Sequence, residues 1–130
     1  MVKTIELRKA IKTYLETKHD RVYFQSAPKN AVYPYIVYDM PNSVDDGSME
    51  SFVLDIDGWN DNTDTTALET LMSEIDGNGD KLNPTGLNKK TVSIDGVITA
   101  TFYRENRLAL IDEDPKIRRR KYIYSIKTHE

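Results

Sequence analysis

The chain has 130 residues, 38% of them apolar and 30% charged, which is enough for one domain with a core and excludes a disordered chain. It has no cysteine, so disulfide frameworks, thiolate metal sites and cysteine nucleophiles are all excluded. The net charge is −3 but unevenly spread: residues 30–80 hold 12 acidic residues and no Lys or Arg, while residues 81–130 hold 11 basic and 6 acidic ones.

The opening MVKTIELRKAIK carries no apolar core of a signal peptide. Residues 5–17 read instead as a helix, because Leu7, Ala10, Ile11, Tyr14 and Leu15 recur at helical spacing, with Thr4 as its N-cap. Residues 21–25 are a short strand and 26–31 a loop with Pro28 and Asn30 as turn residues. Around Pro34 stand Tyr33, Tyr35 and Tyr38, and residues 34–40 read as a second strand. Tyr35, Val37 and Asp39 share one of its faces and Ile36, Tyr38 and Met40 the other. Both faces are partly apolar, which places this strand inside a sheet.

Residues 41–49 have turn residues and no apolar period, so they read as a loop. Residues 52–59 follow as a strand with Phe52, Leu54 and Ile56 inward and Val53, Asp55, Asp57 and Trp59 outward. A second helix runs over about 64–76 on the stripe Leu68, Leu71, Met72 and Ile75. Thr66 with Glu69 fits a capping box, and Gly77 stands where a left-handed cap would end the helix. A long loop leads to a hairpin over 91–104 that turns at Asp95-Gly96, then a loop over 105–115 and a last strand over 119–127. The expected fold is α+β: an antiparallel sheet of four to five strands with two helices packed on one face, plus a β-hairpin. No apolar run approaches the ~18 residues of a membrane span, so no membrane partner is expected.

Few residues point to chemistry. Asp76-Gly-Asn-Gly-Asp80 starts like a calcium loop, but Lys81 stands where the sharp-turn glycine belongs and Leu87 where the bidentate glutamate belongs. His19 and His129 have no metal-ligand spacing, and no G-x-S-x-G or phosphate-loop motif is present. Asp55 and Asp57 share a strand face, but no third group converges on them. No catalytic, metal or cofactor-binding residue is assigned. Residues 116–121 are the densest basic run, read either as a docking surface for acidic groups, as charge protecting an edge strand, or as a phosphate contact. The acidic and basic halves of the chain predict two oppositely charged faces suited to head-to-tail contact between copies, against the plainer alternative of a solvated acidic surface.

A wider pattern joins these pieces: Arg21-Val-Tyr23, the Ala27-Pro28 turn, Pro34-Tyr35 followed by Ile36-Val-Tyr38, the aspartate-rich strand ending in Trp59, and a helix directly after it. In that order they resemble the tail completion and tail terminator proteins of long-tailed bacteriophages, which join tail to head. The segment 81–90 matches none of that pattern. The resemblance implies a non-enzymatic subunit of a six-fold ring at the head-proximal end of the tail, assembled in the host bacterial cytoplasm and located in the neck of the virion. Its implied partners are further copies of itself, the tail tube protein and the head–tail connector, with DNA passing through an acidic lumen. Interface candidates are Asp45, Asp46, Asp55, Asp57, Trp59, Arg118, Arg119, Arg120 and Lys121, with loops 41–49 and 107–118 reaching the tube or connector. The rival readings are another neck, head-completion or baseplate component, a small ligand-binding domain, or an enzyme.

Overall fold

A computed structural model describes residues 3–45, 50–94 and 98–129. Leu7, Ile11 and Leu15 are all buried and form the inner stripe of helix α1 (Lys3–Glu16). Ala10 and Tyr14 flank them, as the spacing predicts. Thr4 is not the N-cap, because the helix already includes Lys3. At the other end the Thr17 hydroxyl donates to Tyr14 O (2.6 Å), occupying a carbonyl that helical bonding would leave free.

Six strands follow the alternation of their apolar residues: β1 (Val22–Phe24), β2 (Tyr35–Asp45), β3 (Glu50–Asn60), β4 (Thr91–Ile94), β5 (Ile98–Ile111) and β6 (Arg118–His129). They form one sheet in the order β1-β2-β3-β6-β5-β4. Every neighbouring pair is antiparallel except β1 and β2, which are parallel. The expected sheet of four to five antiparallel strands is therefore six-stranded and mixed, and the expected hairpin is its β4–β5 edge rather than an addition. The turn expected at Asp95-Gly96 lies outside the described residues.

Two strands run past their expected ends. β2 continues through Pro41 to Asp45, so all of the described part of the expected 41–49 loop is strand. A register shift between Asp39 and Asn42 accommodates the proline, which a regular ladder would not. β5 continues to Ile111, with a second shift between Arg104 and Asn106. Only residues 112–117 remain as loop in the expected 107–118 segment.

Both helices cover the same face. Ile36, Tyr38, Leu54, Ile56, Tyr124 and Ile126 point from the sheet into that core and are essentially inaccessible. Each large side chain buried there contributes roughly 1.5–3 kcal/mol. Helix α2 (Thr66–Asp76) lies directly on β3 at Gly58, where an added Cβ would stand 2.7 Å from Met72 Sδ and 2.8 Å from Leu68 Cδ1. Its N-terminus is capped by Asp64, whose Oδ1 accepts from Thr66 N (3.0 Å) and Thr66 Oγ1 (2.7 Å). The expected Thr66–Glu69 capping box does not form, because Glu69 reaches Arg120 on β6 instead (3.2 Å). Gly77 does end the helix at positive φ (80°), with its N–H donating to Ser73 O.

A polar lock ties the end of α2 to the sheet. The buried Asp76 accepts from the Tyr124 hydroxyl (2.6 Å) and from Arg104 Nη1. Asn88 N donates to Asp76 O and Asn88 Oδ1 accepts from Arg104 N. Tyr14 on α1 adds a bond to Ile75 O (2.8 Å). Burial, then the bond to Asp76, pushes the Tyr124 phenol well above its ordinary range.

Candidate assembly surface

The face of the sheet away from the helices carries an aromatic and charged cluster built by strand register. Val37 on β2 lies opposite Asp57 on β3, which lies opposite Lys121 on β6, which lies opposite Leu108 on β5. One row further on, Tyr35, Trp59, Arg119 and Leu110 align in the same way. Period-two alternation puts all eight side chains on the same face.

Tyr35 stacks on Trp59 with centroids 6.0 Å apart and planes at 17°. Tyr33 lies against Tyr35 at 5.2 Å, and Tyr23 meets it edge-on at 6.0 Å. The Arg119 guanidinium sits 4.1 Å above the Trp59 ring and donates to Asp57 Oδ1 (3.2 Å). Lys121 Nζ is 3.8 Å from both Asp55 Oδ2 and Asp57 Oδ2. Burial pushes the Tyr35 phenol up to about 12, with Tyr33 adding to the shift and Arg119 opposing it. Burial also holds the Asp57 carboxyl above the usual carboxylate range, although Lys121 and Arg119 pull it down. Arg119 Nε is buried with no hydrogen-bond partner among the described residues.

Five expected interface residues, Asp55, Asp57, Trp59, Arg119 and Lys121, thus form one contiguous patch. Arg120 and Arg118 point to the opposite face, where Arg120 pairs with Glu69 and Arg118 donates to Ile117 O and to Pro115 O. Asp45 ends β2, and Asp46 lies outside the described residues. The expected separation of acidic and basic faces does not occur here: the sheet zips acidic β3 against basic β6, so their charges meet within the subunit. The edge-protection reading of 116–121 is overturned as well, since β6 is an interior strand between β3 and β5.

Three places suggested by sequence are committed elsewhere. Asp76 is held by Tyr124 and Arg104, and Asn78 and Asp80 spend side-chain oxygens on backbone amides of their own loop. A calcium loop is not arranged there. His19 Nε2 lies 2.8 Å from Pro34 O, which also accepts from Arg21 Nε. Pro34 follows a cis peptide bond. The Asp55–Asp57 pair faces two cations rather than a substrate cleft.

Sequence reading missed two contributors. Tyr23 and Tyr33 join the cluster through the parallel β1–β2 pairing and the turn before β2. The second half of β5 runs on beside β6, where a cavity of about 450 Å³ is lined by Ala109, Leu110, Ile111 and Ile117 together with Asp112, Glu113, Arg118 and Arg120. A second cavity of about 330 Å³ opens between α1 and β2, lined by Ile5, Arg8, Phe24, Met40 and Phe52. No helix among the described residues is long and apolar enough to cross a membrane.

No protein-family model matches the chain, and a search of curated proteins finds no match. Among solved structures, a chain from the virion of a native gene transfer agent particle is similar to it, with a TM-score of 0.50 and 12% sequence identity. The alignment covers 98% of this chain and 91% of that one, so what the two share is the fold of essentially the whole domain.

Proposed function

We propose that this protein is a structural subunit of a phage-like virion, and specifically the ring-forming terminator at the head-proximal end of the tail. The observation that carries the reading is the whole-length likeness to a chain of a virion particle. It accords with the ordered motifs from Arg21 to Trp59 that resemble tail terminators. In this role copies of the chain close a ring on the last layer of the tail tube. The ring ends tube growth, joins the head connector on its other side, and lets DNA pass through its lumen. The subunit works in the neck of the virion after assembly in the host cytoplasm.

The open sheet face suits such work better than chemistry. Its charged groups are paired with each other, and its aromatics form a broad, partly exposed platform rather than a deep cleft. Aromatic and arginine side chains in a desolvated cluster are the residue types that dominate protein–protein contacts.

The test is electron microscopy of lysates from a phage in which the gene is deleted. Over-long, headless tails are expected. Tails of normal length beside detached heads would move the protein to another neck step, and normal infectious particles would overturn the virion role.

A further inference from the structure

We infer that copies of this chain join head to tail by strand addition, the free edge of β5 in one copy pairing antiparallel with the free edge of β2 in the next. The inference specifies the contact between copies and so rests on the ring reading.

Both edge strands of the sheet are short, and they cover opposite ends of their neighbours. β1 pairs with residues 36–38 of β2 only, and β4 pairs with residues 98–101 of β5 only. Among the described residues, no strand pairs with the outer side of β2 over 40–45 or of β5 over 105–111. Unpaired edges of this length are ready to accept another strand.

The two edges fit each other. Along the sheet β2 and β5 run in opposite directions, as the three successive antiparallel pairings between them require. A second copy placed beside the first in the same orientation therefore presents its β2 antiparallel to β5. The free half of β2 lies at the end of the sheet that holds Glu50 and Thr128, and the free half of β5 at the end that holds Asn60 and Arg118. Offsetting the second copy by about half a strand length aligns the free halves and carries β1 and β4 clear of each other. The contact uses two different surfaces, so it propagates from copy to copy instead of ending at a dimer, and it makes a ring when the rotation between copies closes.

Exposed apolar side chains stand on both free halves. Val44 on the free half of β2 is 63% exposed and Ile111 on that of β5 is 98% exposed. Ile111 lies opposite Arg118, on the helix-covered side of the sheet, and the cavity beside Met40 and Phe52 opens on that same side. Charge is mixed at both ends: Asp112, Glu113 and Asp114 stand between the free half of β5 and Lys116, and Glu50 at the β2 end pairs with Lys3.

The absence of native cysteine makes the test clean. Asn42→Cys and Leu108→Cys variants are made separately, mixed, and treated with a short bismaleimide at a concentration where native mass spectrometry shows oligomers. Thr70→Cys on α2 is the control. A mixed Asn42–Leu108 crosslink is expected, with none from Thr70 and none between two Leu108 variants. Oligomers that lack the mixed crosslink overturn the strand pairing and leave the ring reading standing, and a Leu108–Leu108 crosslink overturns it in favour of a two-fold dimer. A strictly monomeric protein at every concentration also overturns it, while the deletion phage judges the ring reading independently. A second variant, Val44→Lys, keeps the fold and is expected to weaken self-association about tenfold; unchanged association would count against the pairing.

Discussion

Asp57 shows at the scale of one residue how this surface trades stability for charge. Its side chain is only 13% exposed and has two cations within 4 Å, yet burial outweighs them and its carboxyl titrates above the usual range. The folded chain therefore binds that proton more readily than the unfolded chain. The stability gained from protonation is complete below the unfolded value of about 4 and is lost as pH rises through the raised folded value. At neutral pH the ionised carboxylate is a net cost. Asp57→Asn should accordingly melt higher than the parent at pH 7, with the difference vanishing near pH 4, as read by calorimetry at both values. A lower melting point at pH 7 would mean that the Arg119 and Lys121 pairs outweigh desolvation. Tyr124 is the opposite case. Tyr124→Phe removes a donor from the buried Asp76 carboxylate and leaves Arg104 to hold it, so it should cost about 1–3 kcal/mol in denaturant unfolding. A loss below 0.5 kcal/mol, roughly that of a neutral surface change, would show that water replaces the phenol.

At the scale of elements, two glycines let α2 approach its neighbours, and they differ in what blocks a side chain. At Gly58 the obstacles are side-chain atoms, Met72 Sδ and Leu68 Cδ1, which have more freedom to shift than backbone. At Gly86 an added Cβ would lie 2.4 Å from Gly77 N and 2.5 Å from Asp76 C, both backbone atoms. Gly58→Ala should therefore cost less than about 1 kcal/mol, because the strand also loses the entropy penalty of glycine, whereas Gly86→Ala should cost about 3 kcal/mol. Equal costs in chemical denaturation would disprove the distinction. The same elements show what sequence could reveal. The α1 stripe, the core of α2 and the inward residues of β3 were legible because one uninterrupted period governs each. β2 and β5 were read short because a bulge shifts their phase: Pro41 and Glu105 look like strand ends until the partner strand shows the register resuming beyond them. The α2 cap was misassigned because Glu69 had a better partner in Arg120, 51 residues away. The Asp57–Trp59–Arg119 cluster was legible only as separate acidic and basic runs, since the β3–β6 pairing spans 62 residues and leaves no local trace.

At the scale of the whole molecule, that pairing changes what the charge split means. Acidic β3 and basic β6 pair with each other inside the sheet, so the split along the sequence does not become a pair of oppositely charged faces. The free edges are of mixed charge: Asp112, Glu113 and Asp114 stand beside Arg107, Lys116 and Arg118 at one end, and Glu50 pairs with Lys3 at the other. Strand addition between these ends would rest on backbone hydrogen bonds and on apolar contacts made separately by Val44 and Ile111, which point to opposite faces of the sheet. Rim charges in water are screened over roughly 10 Å at 0.1 M salt and about 4 Å at 0.5 M, while apolar contact is not weakened by that change. With mixed charge at both edges, raising salt from about 0.05 to about 0.5 M should therefore leave the oligomeric fraction nearly unchanged. Charge reversal gives the sharper form of the test. Arg107→Glu should leave association within about twofold of the parent at low and at high salt. Sedimentation velocity across the salt series reads both effects. A steep fall in the oligomeric fraction with salt, or a large loss in Arg107→Glu, would mean that charge attraction holds the copies together and would count against a contact built on backbone pairing and apolar side chains.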